Sequence, residues 1–445
     1  MSHSTSQSHS PGSPRRFVGW MVTERVVRGL VNMVVLAAVA RHLEPAGFGA
    51  LNFALAVVTL IMPLAQLSLD TIAIRMLVQE PDRAGSILGT CCLMRLTMGA
   101  TSAGLVLAWS LQHESGTHLG VQGPFTLLLI LQAFEANDLW FQRWVSATPT
   151  AMARLASTAA SAVIKLSLVY HGSGVAAFAW AQVVEATVFS GGLWLAYRYG
   201  AIVGPRWCWD SQIARSFARQ GWGITLGACI SGAAFRFDQL AVSHFLGDAA
   251  AGSYFAAVRL LEIPFFAASA LAISLQPMLV KSKENPEQHR QQLQLSFDAL
   301  TLFGIISALS FTALSTVLVQ IVFGPAFEAS ARLATIYSWG QIAVFTGLIR
   351  LQWISIHPAP GTQVMLAAAT LIIQVGLISW MVPIWGLTGA AVASALTFTF
   401  AGCILPYAFA ATRPLVGPQA RSWLILFRPK RLAQLRLLFS KPSSP

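Results

Sequence analysis

Twelve apolar stretches, each close to the twenty or so residues that cross a bilayer, follow one another along this chain with only short connections between them. They cover 20–40, 49–70, 86–111, 124–142, 151–170, 174–197, 220–245, 250–279, 293–323, 329–351, 362–383 and 386–411. In lipid, every backbone N–H and C=O must be paired within its own segment or in a closed sheet, and runs of this length meet that demand only as helices. The expectation is an all-α, polytopic membrane protein of about twelve transmembrane helices. Composition agrees, since 10% of residues are charged against about 25% in soluble domains. No room remains for a soluble domain.

The chain carries 29 Lys and Arg against 17 acids, a formal charge of +12. A basic patch on a soluble domain would suggest nucleic acid. Here the cations flank apolar runs, so they report orientation, and no nucleic-acid partner is expected. With the N-terminus inside, Arg75, Arg83, Arg143, Arg154, Arg198, Arg206, Lys281, Lys283 and the C-terminal cluster all fall in cytoplasmic connections or tails. Arg41 stands almost alone outside. Both termini are therefore expected in the cytoplasm. Residues 1–19, which open Ser/His/Pro-rich, read as a disordered tail. A cleaved leader is not expected, because Arg25, Arg28 and Asn32 interrupt the first apolar run. The tail 412–445 is basic, and over 430–441 Leu432, Leu435, Leu438 and Phe439 share one helical face. That pattern predicts an amphipathic helix lying on anionic inner-leaflet lipids.

An internal repeat emerges once the runs are numbered. Leu43 to Gly49 (LEPAGFG) leads into the second run, and Leu246 to Gly252 (LGDAAAG), 203 positions on, leads into the eighth. LVQEPDR at 77–83 is echoed by LVKSKENPEQHR at 279–290. A tandem six-helix duplication leaves such an offset, and an even helix number relates the halves by a pseudo-two-fold along the membrane normal. The expected units are six-helix bundles at 20–197 and 220–411, joined by a cytoplasmic linker at 198–219. Parallel repeats of this kind enclose a central cavity.

Ionisable groups inside spans cost about 2.5–3.5 kcal/mol each on insertion scales, so they mark function first. Arg25, Arg28 and Asn32 share a face of the first run; Gly232, Arg236, Gln239 and Ser243 form a similar stripe on the seventh, its counterpart. Matching polar stripes predict a shared hydrated lumen. Arg259 and Glu262 in the eighth run are three apart and can neutralise each other, while Arg95 and Lys165 find no partner in their own runs. Glu135 and Asp138 in the fourth run, Glu185 in the sixth and Asp238 in the seventh pair with these cations or exchange H⁺ or Na⁺ during transport. Pro63 and Pro264 fall at similar places in the two repeats, where hinges or ordinary kinks are both expected. Gly85-x-x-x-Gly89 and Gly223-x-x-x-Gly227 permit close helix approach. Neither the five cysteines nor the outer histidines have metal-ligand spacing, so no metal and no cofactor is expected. No nucleotide-binding loop or catalytic motif is present, which disfavours an enzyme.

The turn ARHLEPAGFGALNFA (40–54), its counterpart at Gly252-Ser253-Tyr254, VRLLEIPFFAASALAISLQPMLVK (258–281) and GPAFEAS (324–330) resemble the polysaccharide-transport branch of the multidrug/oligosaccharidyl-lipid/polysaccharide exporter superfamily. Within it, the Wzx-type flippases are the best match, over Val22 to about Ala411. The resemblance implies a bacterial inner-membrane flippase. Its substrate would be an undecaprenyl-diphosphate-linked oligosaccharide for O-antigen or exopolysaccharide synthesis, moved without ATP, with a polysaccharide polymerase and chain-length machinery as partners. It also implies a cationic lumen fronted by Arg25, Arg28, Arg236 and Arg259; the polar stripes add Asn32 and Gln239 as expected substrate contacts. Asp238 and Glu262 lie near two of those cations and leave the sign of the lumen open. A drug/cation antiporter would need an acidic cavity; a membrane glycan polymerase and a non-transporting scaffold are the readings from other classes.

Overall fold

A computed structural model describes residues 14–113, 116–144, 146, 148–357, 359, 361–425, 428 and 431, with side chains from Arg28 onward save those at 113, 116 and 117. The expected amphipathic helix at 430–441 and the first thirteen residues lie outside it, as does the side chain of Arg25.

Among the described residues the chain is all-α. α1 (Pro14–Gln66) holds the first two spans, folded back at Glu44. Pro14 opens it, so residues 14–19 of the expected disordered tail are helical, proline being suited to the first helical position. α2 (Asp70–Gln79) continues the second span beyond a break at Leu67–Leu69, and α3 (Ala84–His113) returns. α4 (Gly116–Leu131) and α5 (Ala136–Arg143) form one span interrupted by a 3₁₀ turn, Gln132–Glu135. α6 (Thr148–Tyr170) and α7 (Val175–Tyr199) complete the first half. The second half comprises α8 (Ser211–Leu246), α9 (Asp248–Lys281), α10 (Pro286–Val322), α11 (Glu328–Ile356) and α12 (Thr362–Thr399). α12 folds back at Gly386 and passes through a π-turn, Phe400–Ile404, into α13 (Leu405–Ala408); α14 (Arg413–Ser422) closes the described chain.

These elements make twelve crossings, each at one of the expected runs, and leave both chain ends on one face, the tail face. Seven helical stretches pass a length-and-hydropathy test for crossing a membrane, two of them containing a folded-back pair. α7, α8 and α11 are not among them.

The halves meet mainly through α1 packed on α9 and α8. On the face away from the tails they share one apolar cluster, in which Ala40, Phe48 and Ala56 join Phe255, Phe323 and Phe327. Phe48 meets Phe327 edge-on at 5.8 Å and Phe323 at 6.1 Å between ring centres. Towards the tails each half has its own cluster, around Leu77, Leu88 and Phe141 in the first and around Phe297, Leu300 and Phe345 in the second. Only the start of α8, through Ile213 and Phe217, reaches across there. The molecule is sealed at one end and divided at the other.

The repeat read from the sequence builds that seal. A Cβ on Gly49 would strike the carbonyl of Asp248, and a Cβ on Gly252 would strike the carbonyl of Pro45. Positions 45 and 248, like 49 and 252, are 203 apart, so the contact is two-fold symmetric. Arg41 extends it by donating from Nε to the Val322 carbonyl (3.2 Å) and from Nη2 to those of Gln320 (3.3 Å) and Ile321, at the negative end of α10.

The connection between the halves is pinned to the first half. Gly85 and Gly89 are approached by the backbone of Arg206 and Cys208, not by another helix, and Cys208 N donates to the Gly85 carbonyl at 3.2 Å. Helix resumes at Ser211, inside the stretch 198–219 expected as linker, because Asp210 accepts from the Gln212 and Ile213 amides and caps α8.

Candidate functional site

The lumen-lining residues expected from the sequence lie on α1, α8 and α9, the elements through which the halves meet. Arg28 is half-buried on the first arm of α1 and Asn32, one turn on, is exposed. On α8, Arg236 is half-buried and donates from Nη1 to Gln239 Oε1 at 3.0 Å, a neutral partner. Gln239 itself is buried.

Asp238 does not pair with Arg236. It is fully buried, 0% exposed, and turned into the second half, where it accepts from Tyr254 Oη (2.7 Å), Ser394 Oγ (3.2 Å) and the Gln239 amide (2.8 Å). Hydroxyls thus satisfy the carboxylate inside the bundle of α8, α9 and α12. Gln374 of α12 is also 0% exposed, with neither amide atom hydrogen-bonded. Arg259 pairs with Glu262 at 2.9 and 3.2 Å, so this cation and acid cancel on one face of α9. Arg236 forms no ion pair among the described residues.

The remaining ionisable residues belong to the first half. Lys165 does not run free to the surface: it bonds Glu185 Oε2 at 2.9 Å and Gln182 Oε1 at 3.0 Å, while Ser161 donates to the same Glu185 oxygen at 2.6 Å. Arg95, 2% exposed, pairs through Nη2 with Asp70 Oδ1 at 2.8 Å. Asp138 accepts from Gln142 Nε2 (2.8 Å) and Thr150 Oγ1. Glu135 stands with Arg95, Arg154, Asp70 and Asp138 around a polar cavity of about 170 Å³ that Gln66 and Phe189 help to line. Arg154 lies over the Phe189 ring at 4.5 Å.

Sequence reasoning did not single out Asp70 or Arg154 as parts of this cluster, nor Arg350 and Asp298. Arg350 donates from Nη1 to the Ala401 carbonyl at 2.9 Å, where the π-turn frees backbone acceptors. Asp298, 0% exposed, has Arg431 of the tail at 3.7 Å. Nearby, Gln419 of α14 bonds the Gly402 carbonyl at 2.9 Å. Among the described residues no acid, His or Cys group is arranged to hold a metal.

Comparison with known proteins identifies relatives of this arrangement. A family model described as polysaccharide biosynthesis protein matches residues 38–332. Succinoglycan biosynthesis transport protein ExoT of Rhizobium meliloti (strain 1021) is 24% identical over 353 residues, an alignment covering 75% of this chain but only 66% of that protein's length. The structure of the lipid II flippase MurJ in an inward closed conformation superposes with a TM-score of 0.73 at 10% identity, covering 94% of this chain and 97% of MurJ. An inward-facing multidrug resistance MATE family transporter of the MOP superfamily gives 0.64 at 12% identity, covering 90% and 96%.

Proposed function

The chain belongs to the polysaccharide biosynthesis protein family, and on that premise we propose that it is a flippase of the bacterial inner membrane. In this reading it carries undecaprenyl-diphosphate-linked oligosaccharide units from the cytoplasmic to the periplasmic leaflet, for O-antigen or exopolysaccharide synthesis. The tail face is cytoplasmic, and the bundles 20–197 and 220–411, joined through 198–219, rock about the α1–α8–α9 junction. The seal at Gly49 and Gly252 is then the periplasmic gate, and the divided end is open to the cytoplasm.

One observation carries the reading: Arg236 sits half-buried on a junction helix, held by a neutral amide, while the adjacent acid Asp238 is consumed by hydroxyls elsewhere. A guanidinium kept uncompensated at that depth suits a diphosphate, which it can grip with two parallel hydrogen bonds. Arg28 and Asn32 on the opposing arm, and Arg259 where Glu262 releases it, extend the same surface. The lipid tail stays in the membrane while the charged head passes. Moving about two negative charges outward yields roughly 4–5 kcal/mol per 100 mV, inside negative, so the step runs without ATP hydrolysis. A polysaccharide polymerase and its chain-length machinery would receive the product, and the basic tail would rest on anionic lipid.

Arg28→Ala and Arg236→Ala are expected to abolish surface polysaccharide and leave lipid-linked glycan on the cytoplasmic leaflet, with the protein's level in the membrane unchanged. Normal surface polysaccharide in both variants would overturn the assignment.

A further inference from the structure

The polar cavity of the first half lies where two spans come apart. Leu67 and Ser68 adopt left-handed φ values of 53° and 44°, a strained conformation for residues other than glycine. They immediately follow Gln66 and precede Asp70, both on the cavity wall. Across it, the 3₁₀ turn Gln132–Glu135 interrupts the span formed by α4 and α5, and such mid-helix turns mark hinges. Gln132 is buried with neither amide atom hydrogen-bonded.

The charges facing Glu135 are Arg154 from α6, Arg95 from α3, Asp138 from α5 and Asp70 from α2; α7 contributes Phe189. Three carboxylates and two guanidiniums leave one negative charge without compensation around the half-buried Glu135. The three acids are not equivalent. Asp70 is engaged by Arg95, and Asp138 by Gln142 and Thr150. Glu135 alone accepts no hydrogen bond and forms no ion pair among the described residues. Arg95, 2% exposed, meanwhile directs Nη2 to Asp70 and leaves its Nε–H without an acceptor. A donor is buried without an acceptor at the same cavity where a carboxylate stands unengaged.

We propose that this cavity is a proton site centred on Glu135, which couples proton uptake to bending of the two broken spans. The inference rests on the flippase reading and names its coupling ion. With a proton on Glu135 the cluster is neutral and the carboxyl stands clear of Arg95, as in the present structure. When the Glu135 O–H bond breaks, the proton passes to cavity water, for which about 170 Å³ leaves ample room. The carboxylate then accepts from Arg95 Nε, drawing the 132–135 turn towards α3. A sodium ion fits less well, because it needs several oxygen ligands and those of Asp70 and Asp138 are largely taken.

The test is potentiometric titration of the purified full-length protein from about pH 9 to about pH 5, the range over which tuned carboxylates change charge. Glu135→Gln should take up one proton fewer per chain than wild type, and Glu135→Asp, which guards against a folding defect, should restore it. Identical uptake by wild type and Glu135→Gln overturns the proposal. A difference that disappears when sodium chloride replaces potassium chloride overturns it in favour of sodium. In vesicles, translocation of a fluorescent undecaprenyl diphosphate should accelerate with a pH gradient in wild type and not in Glu135→Gln; equal acceleration in both overturns the coupling. No translocation by wild type under any gradient would instead defeat the flippase reading, while the titration still judges the proton site.

Discussion

The two halves repeat one plan and depart from it in the spans that follow the shared turn. In the first half the second span breaks at 67–69 and the fourth at 132–135. In the second half the counterparts, α9 and α11, run unbroken over 34 and 29 residues, although α9 contains Pro264 and Pro277. The charge differs in the same sense. The first half gathers Asp70, Arg95, Glu135, Asp138 and Arg154 around a cavity, whereas the second buries Asp238 among hydroxyls and pairs Arg259 with Glu262. In these spans the first half is jointed and charged, whereas the second runs on; its own interruption, the π-turn Phe400–Ile404, comes in the last crossing. In the proposed transport cycle, a continuous wall opposite a jointed one would let the sealed end open without unpacking both bundles.

The seal is where the halves agree, so breaking it carries the largest expected effect. Gly49 and Gly252 face backbone carbonyls, which cannot swing aside as a side chain can. Gly49→Val and Gly252→Val should therefore hold the sealed end apart and reduce translocation by about tenfold or more, the loss that ~1.4 kcal/mol of closure free energy produces. Spin labels on the two turns should report a longer separation in both variants. Symmetry predicts equal losses; a large effect at one glycine alone would mean that the two turns do not share the work of closure.

Much of this was legible in the sequence. All twelve crossings coincide with apolar runs, the superfamily resemblance agrees with the family match, and the 203-residue offset located the contact that seals the molecule. The breaks were not legible. Pro63 and Pro264 invited kinks, yet the chain breaks at Leu67–Leu69 and Gln132–Glu135, where no glycine or proline stands; at the second break Gln132, Glu135 and Asp138 read as candidate chemistry inside a span, not as its interruption. Partners were also hidden, because the hydrogen bond that Ser394 donates to Asp238, 156 residues away, leaves no local pattern. Asp70 escaped notice because it ends an apolar run, where an acid reads as a boundary; only packing brings it to Arg95.

A smaller effect separates the halves at the turn itself. Glu44 has φ 57° and ψ 177°, and Gly247, 203 positions on, has φ 79° and ψ 179°. The same fold-back is made by glycine in one half and by an exposed glutamate in the other. That region is nearly confined to glycine, and a side chain there costs about 1–3 kcal/mol. Glu44→Gly should raise stability by part of that amount, offset by about 0.5–1 kcal/mol of glycine's chain entropy. Gly247→Ala should lower it by about 1–2 kcal/mol. Opposite shifts in thermal unfolding of the detergent-solubilised protein would check the pair; shifts of the same sign would deny that the turns are equivalent.

The smallest effect concerns how the continuous half is tied to the jointed one. Asp210 caps α8 and meets Arg83 at 2.7 Å, joining the start of the second half to the first. The Arg83 guanidinium, followed by the Gln212 amide, holds the Asp210 carboxyl below its ordinary value, and Asp210 in turn raises Arg83. A carboxyl depressed in the folded state stabilises fully above its unfolded pKa, about 3.9, and loses that contribution as pH falls through the lower folded value. The tie is thus complete at neutral pH and fails only in acid. Because Arg83 is exposed and Asp210 only half-buried, salt screens the pair and the effect is small. Acid unfolding should begin at a slightly higher pH in Arg83→Ala, which leaves the cap but removes the main cause of the depressed value. Asp210→Asn should remove this pH-dependent contribution while keeping a capping oxygen. An unchanged acid transition in both variants would mean that the continuous half is held at its entrance by Ile213 and Phe217 packing, not by charge.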